Sequence, residues 1–370
     1  MIKFKKKIQF YFKRFFQLVF MLIYGKIKYK NNVITSKNIT KKKIENIISD
    51  INSSKSYFSY KIENGRVYTD YVEHVAIIDD NTLVNEASYQ QISGELKDAK
   101  ENIVLTKGTP RIKKRIEGRV FSLVQGASGN NNYFHWIFDI LPKIKLCSEH
   151  YLLKEIDFYY LPNLQNFQKQ TLSILNIEED KILNSDLCRH IQASELIVVD
   201  HPWYHKGFIL DQVEFLPSWI IHWLRDVYLK YAKKFDNNEK IYIDRTESKF
   251  NHCQIQNDNE IFNFLKEQGF SKYKVGELSF FEQIYLFNNA KIIIGAHGAA
   301  FTNLAFCKPN TKIIEIRPST QSNNNYKRIS QIGNLNYRLI KTKALDEDQK
   351  KFGDIYLPIS ELEHCIKNFG

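Results

Sequence analysis

In the stretch NNYFHWIFDILPKI, residues 131–144, His135 and Asp139 stand four positions apart among aromatic and branched apolar side chains. Taking a carboxylate out of water without a partner is strongly disfavoured, so such a pair needs either a structural partner or a task. A helix over 132–141 would set Asn132, His135, Trp136 and Asp139 along one side, because positions three and four apart are neighbours. Pro142 would end or kink that helix. Asp139 could orient the His135 imidazole and stabilise its charged form, or either residue could itself take a proton from an incoming hydroxyl. Trp136 would then offer an apolar face to a sugar ring, with Asn132 beside it on the acceptor side. The plainer reading is a core histidine and an acid paired with Lys143, and spacing alone leaves both open.

A second stretch, KIIIGAHGAAFTNLAFCKPNTKIIEI (291–316), reads as a strand ending at Gly295, a tight turn carrying His297 and Gly298, and a helix starting at Ala299. Small residues there would let a ligand approach the unpaired N–H groups of the helix start, where the helix dipole favours an anionic oxygen such as a diphosphate. The spacing GxxGAA is neither the GxGxxG nor the GxxxxGK[ST] fingerprint. Glu315, at the end of the next strand, could hold ribose hydroxyls, or could be a surface carboxylate paired with Arg317. Arg245 closes the strand IYIDR on the same expected rim, where a guanidinium could take a phosphate with two hydrogen bonds.

These residues need two frameworks to position them. From Tyr57 to Val124 short alternating apolar runs separated by Asp, Asn and Gly predict antiparallel strands. Then EIDFYYLP (155–162), LQNFQKQTLSILNI (164–177) and ELIVVD (195–200) predict a β-α-β unit. After a helix over 217–235 the pattern repeats more cleanly. IYIDR, KYKV, KIIIG and TKIIEI are expected strands, separated by helices, two of which open on the capping-box pairs Asn257/Glu260 and Ser279/Glu282, with Gly269 as a helix stop. Four strands alternating with three helices imply a parallel, doubly wound sheet. Residues 31–56 read as a helix and linker, and a last helix is expected to open on Ser360 and Glu363. The resulting division is 1–30 basic amphipathic segment, 31–56 linker, 57–235 acceptor-side α/β domain, 236–345 nucleotide-binding Rossmann-like domain and 346–370 helical extension. A ligand would sit in a cleft between the two lobes, at the carboxyl ends of the strands.

At 370 residues, 43% of them hydrophobic and 14% aromatic, the chain has ample material for two packed cores. The formal charge of +12 invites a nucleic-acid reading, but residues 1–30 hold nine Lys or Arg and no acid, leaving +3 for the rest. A nucleic-acid partner is therefore not expected. The five cysteines show no CxxC or Cys/His spacing, so neither a zinc site nor a disulfide framework is indicated. The DxD triplet Asp346–Asp348 lies in a polar run better read as a solvated loop than as a metal site. The tail MIKFKKKIQFYFKRFFQLVFMLIYGKIKYK has no apolar run of the roughly 20 residues a spanning helix needs. It suits an interfacial helix over residues 1–24 on anionic lipid, and no small-residue cleavage site follows Tyr24.

The stretches NYFHWIFDILPKI and IIIGAHGAAFTNLAFCKPNTKIIEI, in this order and separated by IYIDR, closely resemble glycosyltransferase family 61, across residues 65–345. The resemblance implies the α/β GT-B fold, two Rossmann-like lobes facing a cleft, and inverting transfer of a hexose or pentose from a nucleotide sugar, UDP-linked, to a glycan or lipid-linked oligosaccharide acceptor. It places catalysis on His135 and Asp139, and donor binding on Arg245, His297, Gly298, Ala299, Asn303 and Glu315, to which the reading of the strand-to-helix turn adds Gly295. No metal or other cofactor is expected, because the arginine and the helix start would meet the leaving charge. A bacterial capsule or lipopolysaccharide enzyme on the cytoplasmic face of the plasma membrane is the implied setting. One departure stands out: NHCQIQND keeps Ile255 and Asn257 but has Cys253 and Gln254 where the family carries basic residues. A catalytically idle glycan- or nucleotide-binding member of the same fold is the alternative.

Overall fold

A computed structural model describes residues 2–31, 36–47, 50, 56–70, 74–126, 132–203, 207–245, 253–321, 324–345 and 353–369. Its contacts divide the chain into two compact units, Met1–Phe215 and Leu216–Gly370. The division falls before the helix Ser218–Tyr228, which the sequence pattern groups with the first domain.

The first unit is built on a nine-stranded mixed sheet. In chain order its strands are β1 (Ile39–Ile44), β2 (Tyr57–Glu63), β3 (Arg66–Thr69), β4 (Val75–Asp79), β5 (Thr82–Leu83), β6 (Lys114–Ser122), β7 (Phe158–Leu161), β8 (Ile182–Asn184) and β9 (His190–Val199). β8, β7, β6 and β9 run parallel. Beyond β9 the sheet turns antiparallel: β2 and β3 pair with successive halves of it, β1 adds to β2, and β4 and β5 add to β3. The β-α-β unit forms as β7, the helix Asn166–Ile174 and β8, while β9, expected as its neighbour, inserts two places away beside β6. Residues 39–44 correct the helix expected over 31–56. Ile39 and Ile44, five apart and so on opposite faces, are buried while Thr40, Lys42 and Lys43 stay exposed, which suits an edge strand held by its pairing with β2. Inward-facing Val67, Val75, Ile77, Val120, Ile191 and Leu196 form the core beneath.

The second unit is a five-stranded sheet of β10 (Lys240–Ile243), β11 (Ser271–Tyr273), β12 (Ile292–Ala296), β13 (Lys312–Pro318) and β14 (Asn336–Thr342). The order is β11-β10-β12-β13-β14 and every pair is parallel, the doubly wound arrangement expected from the alternating pattern. The inner strands β12 and β13 are rich in Ile and buried along nearly their whole length, as strands covered on both faces are. The Ser279/Glu282 capping box forms, and Gly269, at φ 81°, ends the helix Asp258–Glu267. Two expected caps do not form. Asn257 commits its amide to Leu357 N and O, tying the C-terminal segment to this unit, and the last helix starts at Ile359 without a side-chain cap. The helix expected from Ala299 is a 3-10 helix, Ala299–Phe306.

Candidate active site

In the first unit Asn132 caps a helical turn, its Oδ1 accepting from the N–H groups of Phe134 and His135. The helix then widens into a π-helical turn over Trp136–Ile140, where Leu141 N–H donates to Trp136 O, and continues as an α-helix through Ser148. Pro142 therefore does not end it. The wider turn accommodates the residue that cannot donate, and such turns recur at functional sites. His135 Nδ1 lies 2.7 Å from Asp139 Oδ2. Asp139 is wholly buried, and Trp203 Nε1 donates to its Oδ1 at 2.7 Å. His201 Nε2 stands 3.9 Å from the same carboxylate. A carboxylate held this way is the ordinary partner of an imidazole N–H, which leaves the basic lone pair on His135 Nε2.

Trp203 and His201 come from the loop after β9, and that loop is pinned: Tyr57 OH donates to Pro202 O, Tyr89 OH to Val199 O, and Tyr60 OH to Asp200. Gly126, at φ 61°, sits where a Cβ would come within 2.9 Å of Tyr89 and 3.0 Å of His201. Lys143 is buried and donates to Gln125 O, with its Nζ 5.4 Å above the Tyr89 ring. Desolvation pulls its pKa down to about 7, the nearby Asp139 charge opposing that shift. The same burial pushes the Tyr89 phenol well above its usual range. The acid pairs with His135 and Trp203, and the lysine has its own carbonyl.

Trp136 corrects an expectation. It is 1% exposed and its indole N–H donates to Thr171 Oγ1 at 2.8 Å, so it supports the helix from within and presents no face to a sugar. Asn132 likewise uses its carboxamide oxygen as the cap.

In the second unit, β10 and β12 are the adjacent central strands at which the sheet order reverses, the position where doubly wound sheets bind ligands. Arg245 follows β10, and His297 and Gly298 follow β12. The Arg245 guanidinium donates to His297 O, and burial draws its pKa down. Gly298 is extended, yet a Cβ there would fall 1.4 Å from Arg245 Nη1, so the residue is glycine to admit the guanidinium. His297 Nδ1 pairs with Glu315 Oε1 at 2.5 Å, and Tyr337 OH donates to Glu315 Oε2. Tyr326 OH donates to Gly298 O at 2.7 Å, and its ring lies 5.0 Å from that of His297. Burial, with the Glu315 charge second, pushes both tyrosine hydroxyls far above their usual range.

Three donor-site expectations change with this geometry. Glu315 is 1% exposed with both oxygens engaged by His297 and Tyr337, so it orients the histidine instead of meeting a ribose or Arg317. Gly295 is buried in β12, where a Cβ would press within 2.9 Å of Ile243 Cβ, making it a strand-packing position. Asn303 is fully buried and donates to Gln283 Oε1 and Ala300 O, fixing the 3-10 helix against the helix Phe280–Asn289. Arg245, His297, Gly298 and exposed Ala299 remain around one strand-end turn. Of the altered segment, Cys253 is buried with Sγ 3.9 Å from Gln321 Oε1. Asp346–Asp348 lie outside the described residues, among which no cluster of three or more His, Cys, Asp or Glu could hold a metal ion.

Residues 133–314, just under half of the chain, match the family model described as Glycosyltransferase 61. That span opens on the turn that carries His135 and takes in Arg245, His297 and Gly298. A beta-1,2-xylosyltransferase of Oryza sativa subsp. japonica, RCN11, is 29% identical over 136 residues. The aligned stretch is 36% of this chain and 22% of that relative, so the chain covers only about a fifth of the relative's length. Both matches support a glycosyltransferase enzyme.

Proposed function

We propose that this chain is an inverting glycosyltransferase that moves a sugar, a pentose in the first instance, from a UDP-linked donor to a hydroxyl of a glycan acceptor. The observation that carries the reading is the buried hydrogen-bonded series Trp203–Asp139–His135. His135 Nε2 takes the acceptor proton while the acceptor oxygen bonds to the anomeric carbon. The bond from that carbon to the diphosphate breaks on the opposite face. Asp139 stays a carboxylate throughout, holding the imidazole tautomer and stabilising the imidazolium. The base contributes about 10²- to 10⁴-fold in rate. Arg245 and the 3-10 helix start at Gly298–Ala299 receive the charge of the departing nucleoside diphosphate, a contribution often larger than the base, and one that could stand in for a metal. The xylosyl transfer named for the rice relative supports the choice of pentose. The same reading assigns the chain to the GT-B class, and to envelope polysaccharide synthesis at the cytoplasmic face of a bacterial membrane.

A donor panel tests it. Purified protein is given UDP-pentoses and UDP-hexoses with oligosaccharide acceptors, with and without chelator, and release of nucleoside diphosphate is measured. Release from at least one donor, insensitive to chelator and lost in His135→Ala, is expected. Undiminished release by His135→Ala overturns the site, and loss on chelation overturns the metal-free step. Binding of UDP without turnover of any donor would make the chain a binding protein of the same fold.

A further inference from the structure

The helix Ile2–Tyr24 is amphipathic in an unusual orientation: it docks by the side opposite its apolar stripe. Ile8, Tyr11, Phe12, Phe15, Leu18 and Leu22 recur at three- and four-residue spacing and form one stripe, between 49% and 87% exposed. Its last turn is fixed to the first unit by Met21 and Tyr24, which point the other way. Met21 packs on Gly108, whose added Cβ would lie 2.6 Å from Met21 Cγ. Tyr24 OH accepts from Lys113 N at 3.0 Å, and its ring meets His190 edge-on at 5.2 Å, with Arg66 and Lys113 over its face. The attachment therefore holds the apolar stripe outward.

We infer that this stripe is a docking surface for an anionic lipid membrane, lying in the headgroup region with the helix axis along the surface. Charge decides the occupant. Ile2–Tyr24 carries six Lys or Arg and no acid. Lys7 and Arg14 border the stripe, and Lys6 and Lys13 lie behind it, all exposed. A second copy of the helix packed on the stripe would set cation against cation, whereas anionic headgroups complement both the apolar face and its rim. No helix among the described residues is long and apolar enough to cross a membrane. The inference deepens the membrane location proposed above, and its readout is independent of sugar transfer.

Full-length protein is sedimented with vesicles of phosphatidylcholine alone or with a third phosphatidylglycerol, at low and high salt. Binding to the anionic vesicles, weakened by salt, is expected, with about fivefold lost for Lys7→Gln and for Arg14→Gln at the rim of the stripe, and less for Lys6→Gln or Lys13→Gln behind it. Phe12→Ser and Phe15→Ser, both at exposed positions, should each cost about tenfold or more. No binding, or equal binding to neutral and anionic vesicles, overturns the inference. So does a lipid-free, concentration-dependent dimer that the same Phe variants abolish, because it makes a second copy the occupant.

Discussion

Replacing Asp139 with asparagine separates a positioning role from a structural one. Asp139 is wholly buried between two donors, His135 Nδ1 and Trp203 Nε1, each at 2.7 Å. The Asp139→Asn side chain would keep the shape, and its oxygen would still accept from Trp203. Its NH₂ would then face His135 Nδ1 and could only donate, so the imidazole proton is driven to Nε2 and the basic lone pair is lost where the acceptor hydroxyl needs it. A change of this kind, geometry kept and tautomer reversed, costs up to about 10⁴ in kcat, which is roughly 5 kcal/mol of transition-state stabilisation at 1.36 kcal/mol per tenfold. Stability should change far less. Asp139→Ala behaves differently, because it strands two donors in the core at about 1–3 kcal/mol each and should lose both stability and activity. The assay pairs nucleoside diphosphate release under saturating donor with urea unfolding of the wild type and both variants. Near-wild-type kcat in Asp139→Asn would refute the assignment of base and orienter. So would a stability loss in Asp139→Asn as large as in Asp139→Ala, since the carboxylate's role would then be structural.

Gly298→Ala should expel the Arg245 guanidinium, because the new Cβ falls 1.4 Å from Nη1; calorimetry with UDP should show binding weakened about tenfold or more with the unfolding midpoint little changed. Lys143→Met removes a buried ammonium whose pKa lies near 7 against an ordinary 10.5. Between those values the unfolded chain binds the proton and the native protein does not, so wild-type stability should rise with pH over that window by a few kcal/mol, a slope the variant lacks in urea melts. His190 is held neutral, its pKa drawn to about 3 by burial and then by Arg66, whose guanidinium donates to its Nε2. The stability it contributes is complete above pH 6.5 and falls away as pH drops toward 3, so the acid-unfolding limb of His190→Phe should be flatter there.

Local pattern is enough for four of the five strands of the second unit, β14 being the one it misses, and insufficient for half of the first. β10, β12 and β13 read as strands because each is a short apolar run between turn signals, and alternation with helices fixes their parallel order. The strand Ile39–Ile44 reads as a helix because its lysines suggest a solvated face. Its identity comes from pairing with Tyr57–Ile62 and from the two isoleucines it buries, neither visible within six residues. Asn257 has the residue type and spacing of a cap, but Leu357, a hundred positions on, offers it both a donor and an acceptor, and tertiary contact overrides the local rule.

The candidate site divides along the same line. His135 and Asp139 are legible because four-residue spacing is a contact in any helix. Trp203, which completes the carboxylate's coordination, sits 64 positions away in a loop whose own sequence, HPW, carries no sign of the role. The misassigned residues err in one direction. Trp136, Gly295, Asn303 and Glu315 are expected at a ligand, and each instead holds another part of the frame: Thr171, Ile243, Gln283, His297. A motif registers which residue types recur together, and it does so equally for a group that meets the substrate and for one that fixes that group from behind. What separates them is burial and the partner each side chain holds, and His135 and His297 are the two imidazoles of these motifs whose Nδ1 is backed by a buried carboxylate.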